Sequence, residues 1–188
     1  MNSAQDLHRI ANMMRGDVLK MVHQAGAGHI AGPMSSADIF ATLYFSGLLD
    51  LKQEKVVLSC GHYCPILYSA LARAGYFPTS ELESFMKIGS RLPGHPEKNL
   101  TPGIEVSAGP LGQGVSVAVG MALGLKMKYG HLPQAETPRV YCVLSDGEIQ
   151  EGQVWEAFNF SVRRQLDNLI FIVTYRQLIS LILTFMSI

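Results

Sequence analysis

The spacing of apolar side chains divides the chain into segments with helical and strand-like periods. Between residues 3 and 25, apolar residues recur at steps of three and four, which predicts an amphipathic helix. Ser35 and Asp38 have the spacing of a capping box, so a second helix is expected to begin there and to end near Gly47. Further helices are predicted from residue 65 to about 74, from 79 or 80 to about 87, and from 111 or 112 to about 129.

Three short apolar runs, at 55–58, 140–144 and 169–173, are typical of buried strands. A polar turn and a helical pattern join the second run to the third, and strands joined through a helix pair in parallel. The chain therefore predicts an α/β fold in which a parallel sheet is flanked by helices on both faces. The pattern contains no repeat and no flexible linker, so we expect one domain.

One long stretch, 88–114, has no helical period and is rich in glycine and proline. A loop of this length inside a compact domain is usually either functional or disordered. It contains His95, and it ends in a glycine-rich turn before the next predicted helix. These two features favour a functional loop.

Asp146 lies directly after the second predicted strand, and Gly147 follows it. In parallel sheets, ligands bind beyond the carboxyl ends of the strands. A carboxylate in that position suits a hard cation such as Mg²⁺, usually together with a phosphate group. An ordinary turn is the competing explanation, because Asp-Gly pairs are common in turns.

Composition narrows the classes of function. The 188 residues are 48% hydrophobic and 16% charged, with a formal net charge of +0. That balance argues against electrostatic binding to nucleic acid or to an anionic membrane, and the low charged fraction suggests a surface covered by a partner. The longest apolar segment is too short to span a bilayer, and we find no secretory signal. Three cysteines do not make a disulfide framework, so a cytoplasmic location is expected.

Three histidines, His29, His62 and His95, each lie in a loop next to glycine. A single loop histidine is usually a surface residue, but three in this setting indicate a polar site at the ends of the elements. Cys60 and Cys64 flank His62 and raise the alternative of a zinc site. The spacing of a four-ligand zinc motif is absent, which makes that alternative the weaker one.

Eight short stretches in a fixed order make the pattern more specific. They are GHIAG (28–32), LSCGH (58–62), PGHP (93–96), PGIE (102–105), GPLGQG (109–114), DGE (146–148), EGQVWEA (151–157) and DNLI (167–170). With these stretches the chain resembles the N-terminal, thiamine-diphosphate-binding part of transketolase, and the likeness covers about residues 5 to 173. The spacing is most similar to that of split transketolases, in which a separate subunit carries the second half of the enzyme.

The resemblance implies catalytic and metal-binding roles for five residues. His29 and His95 would face the sugar-phosphate substrate and assist proton transfers at its hydroxyl groups. His62 would contact the cofactor diphosphate near the reacting carbon. Asp146 would bind Mg²⁺, and Gly147 would meet the diphosphate.

The same resemblance implies thiamine diphosphate and Mg²⁺ as cofactors. Gly109, Pro110 and Leu111 would line the aminopyrimidine side of thiamine diphosphate. Glu151 and Glu156 match the family's interface glutamates, which link paired active sites. The implied activity is the transfer of a two-carbon ketol unit from a ketose phosphate to an aldose phosphate.

The resemblance ends abruptly, which bears on the domain boundaries and on the partners. Residues 1–173 form the expected family domain, incomplete at its C-terminal edge, and 174–188 form an apolar tail unlike the family. Arg176 stands where the family has a metal-binding Asn, and a guanidinium cannot ligate Mg²⁺. The family's activating glutamate lies in the second half of the enzyme. We therefore expect a complementary C-terminal transketolase subunit, in a hetero-oligomer built on a dimer.

Two other functions compete with this one. A truncated, non-catalytic fragment that keeps the fold without productive cofactor binding would explain Arg176 and the tail. A related enzyme, such as 1-deoxyxylulose-5-phosphate synthase, would share the cofactor and use another acceptor. The segments around His95 and Trp155 are less similar to that enzyme.

Overall fold

The computed structural model describes residues 2–131, 133 and 136–175. The helices are α1 Ala4–Ala25, α2 Ala31–Ser35, α3 Ala37–Phe45, α4 Cys64–Arg73, α5 Gln113–Tyr129 and α6 Gly152–Arg163. The strands are β1 Lys55–Leu58, β2 Val140–Ser145 and β3 Leu169–Thr174. Short 3₁₀ turns at Gly61–Tyr63 and Glu148–Gln150 follow β1 and β2, and a longer one covers Thr79–Ser84.

The strands pair in parallel, in the order β1–β2–β3. The ends of β2 and β3 are level, with Ser145 beside Thr174. The hydrogen-bond ladder continues past the strands, because the amide of Ser59 donates to Val143 at 2.8 Å and the amide of Asp146 donates to Thr174 at 3.0 Å. The strands therefore finish at one edge of the sheet, and the predicted α/β fold with a parallel sheet is confirmed.

Side chains of the strands alternate between two apolar layers, so helices cover both faces of the sheet. Val56 and Leu58 pack in one layer with buried residues of α1, α3 and α4. Val57 and Leu144 pack in the other layer, which they form with α5 and α6. Because successive side chains of a strand point to opposite faces, a shift of one residue in the pairing would disrupt both layers.

A capping box begins α1, not α3. The Ser3 hydroxyl accepts from the amide of Asp6, and the Asp6 carboxylate accepts from the amide of Ser3, both at 3.2 Å. The capping box expected at Ser35 and Asp38 is wrong, because Ser35 lies inside α2 and its hydroxyl donates to the backbone of that helix. Asp38 instead accepts from Arg15, which ties α3 to α1.

The glycine- and proline-rich stretch is irregular, as predicted, and side-chain and backbone hydrogen bonds hold it in place. Tyr68 in α4 donates to the carbonyl of Pro93 at 2.8 Å, and the amide of Ala108 donates to Pro96 at 3.1 Å. The helix expected from residue 79 or 80 to 87 is a 3₁₀ turn that ends at Ser84.

The predictions about Arg176 and the apolar tail cannot be compared with the described residues. Arg176 and all of the apolar tail except its first two residues lie outside the described residues, while Thr174 ends β3. Cys60, Cys64 and Cys142 are buried, and no disulfide joins them. Within the described ranges, no helix combines the length and the apolar character needed to cross a membrane.

Replacing Leu71, which is fully buried in α4, tests the layer that α4 shares with α1 and α3. Leu71→Ala leaves a cavity, so we expect the free energy of unfolding to fall by about 2–5 kcal/mol. Leu19→Ala removes the same atoms from an exposed position of α1 and should change that free energy by less than about 0.5 kcal/mol. Urea denaturation measures both changes, and equal losses would contradict this assignment of the core.

Candidate functional site

A cleft of about 460 Å³ opens at the carboxyl edge of the sheet. Four parts of the chain form its walls: the connection between α1 and α2, the turn after β1, the loop before α5 and the turn after β2. Four predicted site residues meet among the lining side chains and backbone groups, namely His29, His62, Leu111 and Gly147. The cleft therefore lies where ligands bind in parallel sheets.

His29 and His62 lie side by side in the cleft, with ring centroids 4.9 Å apart in an edge-to-face arrangement. The residue before His29 has to be glycine. Gly28 has a φ of +135°, and a β-carbon there would lie 3.0 Å from Cγ2 of Val22. Two imidazole rings therefore lie within reach of one ligand in the cleft.

Two loops meet beside the histidine pair with no side chain between them. A β-carbon at Gly61 would lie 2.7 Å from the carbonyl carbon of Ala108, closer than van der Waals contact allows. A β-carbon at Gly109 would lie 3.9 Å from Cδ2 of His95, so these two predicted residues are neighbours. His95, Gly109 and the exposed Pro110 are not among the residues that line the cleft.

Asp146 is half-buried between two residues of the cleft wall, Ser145 and Gly147. Its Oδ1 accepts from the amide of Gly147 at 3.0 Å. Among the described residues, no group of three or more His, Cys, Asp or Glu side chains could hold a metal ion. A Mg²⁺ bound with a phosphate needs only one or two carboxylates, because water and phosphate oxygens complete its shell. The donor set at Asp146 fits that kind of site.

Glu148 is a buried acid that the sequence analysis did not single out. Its Oε1 accepts from the Ser59 hydroxyl at 2.5 Å and from the amide of Gly112 at 2.8 Å. Burial raises the pKa of Glu148, and these hydrogen bonds oppose that shift. The sequence signal was a glutamate directly after Asp-Gly, but its burial depends on two segments that are distant in sequence.

Glu151 and Glu156 are exposed at the beginning of α6 and do not line the cleft. A β-carbon at Gly112, which has a φ of +82°, would lie 3.3 Å from the β-carbon of Glu151. The loop before α5 and the beginning of α6 are therefore in contact.

The side chain of Cys64, one of the two cysteines on which the zinc alternative rested, donates to the carbonyl of Gly94 at 3.0 Å.

The sequence matches a family model described as transketolase, thiamine diphosphate binding domain, over residues 7–179. The 6-deoxy-6-sulfo-D-fructose transketolase subunit of a Clostridium species is 40% identical over 92% of this chain, and this chain spans 63% of that subunit. The apulose-4-phosphate transketolase of Actinobacillus succinogenes has a subunit that is 33% identical over 90% of this chain, which spans 62% of it. Human transketolase is 38% identical over 93% of this chain, which spans 28% of that enzyme.

Solved structures agree with the sequence comparisons. Transketolase from Campylobacter jejuni matches 92% of this chain with a TM-score of 0.81 and 35% identity. Transketolase from Leishmania mexicana matches 92% of it with a TM-score of 0.80 and 32% identity. This chain covers 28% and 27% of those two proteins. The likeness therefore concerns one part of a longer enzyme.

Gly61→Ala tests the close approach of the two loops. The added methyl group cannot fit against Ala108 unless one loop shifts, so we expect the free energy of unfolding to fall by about 1–3 kcal/mol. Gly16→Ala is the matched control, because its β-carbon position in α1 has nothing within 4 Å. Alanine favours the helix there and should raise that free energy by about 0.5–1 kcal/mol. If chemical denaturation shows no loss for Gly61→Ala, the loops do not meet as described.

Proposed function

This chain belongs to the transketolase family, as its thiamine-diphosphate-binding domain, and on that premise we propose that it is the N-terminal subunit of a two-subunit transketolase. It binds thiamine diphosphate with Mg²⁺. Together with a complementary C-terminal subunit, it transfers a two-carbon ketol unit from a ketose phosphate to an aldose phosphate. The observation that carries the proposal is the cleft at the carboxyl edge, where His29, His62, Leu111 and Gly147 meet beside Asp146.

The cofactor half of the proposal rests on the turns after β1 and β2. Asp146 supplies the carboxylate for Mg²⁺, and the backbone of Gly147 meets the diphosphate. His62, in the turn after β1, contacts the same diphosphate. Gly109, Pro110 and Leu111 lie towards the aminopyrimidine side, and the described position of Leu111 in the cleft wall supports that direction.

The substrate half of the proposal rests on the exposed histidines. Bound thiamine diphosphate supplies the nucleophilic carbon that carries the two-carbon unit between sugars. His29 and His95 orient the hydroxyl groups of the sugar phosphate and move protons at their oxygen atoms. Both side chains are exposed, which supports access by a substrate that enters from solvent.

The need for a partner is supported by the named subunits among the relatives and by the surface of α6. Trp155 and Val162 are 56% and 75% exposed, although both are large and apolar. Glu151 directly precedes α6 and Glu156 lies within it, and we assign both to the interface between paired active sites. The assembly that follows is a hetero-oligomer built on a dimer.

Asp146→Ala tests the cofactor site. Calorimetric titration of thiamine diphosphate with Mg²⁺ should show binding to the chain mixed with a complementary C-terminal subunit. The variant should raise the Kd by more than about tenfold. Replacing residues that only hydrogen-bond to a metal ligand already lowers metal affinity by at least about tenfold, and Asp146 is proposed as a ligand itself. Glu83→Ala, which removes an exposed carboxylate from a 3₁₀ turn, should leave the Kd unchanged.

One result would count against the subunit function, and another would count against Asp146 as the metal ligand. If the folded chain does not bind with or without the partner, the non-catalytic fragment suggested by Arg176 becomes the better explanation. If binding is unaffected by Asp146→Ala, the metal lies elsewhere.

Replacing His29 or His95 by alanine separates substrate chemistry from cofactor binding. In the assembled enzyme, each variant should lower kcat by a factor of about 10²–10⁴, because each removes a group that moves protons. The Kd for thiamine diphosphate should stay within about threefold of the original value. His23→Ala, in the last turn of α1, is the control and should change neither quantity. Steady-state kinetics that show equal kcat for all three variants would refute the assigned roles.

A further inference from the structure

Glu148 is fully buried in the turn after β2, and its side chain is hydrogen-bonded to two other parts of the chain. Its Oε1 accepts from the Ser59 hydroxyl at 2.5 Å and from the amide of Gly112 at 2.8 Å. The backbone amide of Glu148 donates to the Ser145 hydroxyl at 3.2 Å. A single residue therefore links the end of β1, the beginning of α5 and the end of β2.

Each of these links ends next to a residue of the candidate site. The serine at the end of β1 begins the turn that carries His62, and the linked glycine directly follows Leu111. The serine at the end of β2 directly precedes Asp146. The hydrogen bonds of Glu148 therefore connect the segments that carry the proposed diphosphate, aminopyrimidine and metal contacts.

Packing between these segments fixes their relative position less specifically than the hydrogen bonds of Glu148 do. A β-carbon at Gly114 would lie 2.6 Å from Cα of Ser59, so the first turn of α5 rests directly on the backbone after β1. Neither Gly112 nor Gly114 has a side chain that could interlock with its neighbours. The hydrogen bond from the Gly112 amide to the buried carboxyl group of Glu148 is directional, so it fixes the orientation of the loop before α5. Van der Waals contact between glycine backbones does not fix that orientation.

We propose that Glu148 is a positioning residue that holds the turn carrying His62, the loop ending at Leu111 and the turn at Asp146 in the geometry that binds the cofactor. A site whose parts are already ordered binds its ligand more tightly, because less conformational entropy is lost on binding. The identity of the bound cofactor rests on the proposed function. The link between the segments is a property of the free chain.

Hydrogen exchange in the free chain tests the link without any cofactor. Glu148→Ala removes the acceptor of two hydrogen bonds, so amides in 59–63 and 111–116 should exchange at least about tenfold faster. Amides in the middle of α1 should change by less than about threefold. An even increase along the whole chain, or no increase, would overturn the proposal.

Asn168→Ala is the matched control for a lost buried polar side chain. Asn168 is 2% exposed, and its Nδ2 donates to the carbonyls of Ala122 and Pro138 at the opposite edge of the sheet. Its removal should speed exchange near those two carbonyls and not at 59–63.

If Glu148→Ala does not fold, Ser59→Ala removes one donor only and should speed exchange at 59–63 and 111–116 by at least about threefold. Unchanged exchange in that variant would also overturn the proposal.

Cofactor titration in the assembled enzyme distinguishes positioning from general stabilisation. Glu148→Gln keeps an oxygen that can accept from Ser59 and Gly112, so its Kd for thiamine diphosphate should stay within about threefold of the original. Glu148→Ala should raise that Kd by at least about tenfold, while kcat at saturating cofactor stays within about threefold. A lower Tm with an unchanged Kd would mean that Glu148 only stabilises the fold.

The two tests also separate this inference from the proposed function. If the original chain with its partner binds no thiamine diphosphate, the proposed function fails, and the exchange experiment still decides whether Glu148 links the three segments. If the original chain binds and Glu148→Ala binds equally well, the proposed function stands and the positioning role is refuted.

Discussion

The amides of Ser59 and Asp146 donate to neighbouring strands just beyond the last residues of β1 and β2. These two hydrogen bonds extend the parallel ladder to the point where the chain leaves the sheet. Because all the described strands run in the same direction, the segments that leave them meet at one edge. The cleft, the two histidines in it and the carboxylate of Asp146 all depend on that shared edge. The apolar layers on both faces hold the register that puts the edge in place.

The loops at this edge approach each other closely, at some expense in local stability. Gly61 and Gly114 rest against backbone, where any side chain would collide. Glu148 is buried among them, and its Oε2 has no hydrogen-bond partner within the described ranges. A buried, partly satisfied acid is unfavourable for folding, and its pKa is raised because burial disfavours the charged form. Proteins accept such local conflicts mainly where geometry serves a function.

The periodicity of the sequence was sufficient to predict β1, β2 and β3, the long helices and the parallel pairing. The ordered short motifs identified His29, His62, Leu111 and Gly147, which the structure brings into one cleft. Local patterns were less reliable for contacts between distant segments. The capping box at Ser35 was wrong because a separate short helix, α2, includes that residue. Glu148 was missed because its burial depends on Ser59, which lies 89 positions away in sequence.

The central claim is that the cleft at the carboxyl edge holds the diphosphate of the cofactor. A crystal structure of the chain with a complementary C-terminal subunit, thiamine diphosphate and Mg²⁺ tests it most directly. We expect density for the diphosphate beside Gly147 and His62, with the metal ion on Asp146. Cofactor density at another part of the chain, with the cleft between His29 and Gly147 filled only by solvent, would contradict the claim.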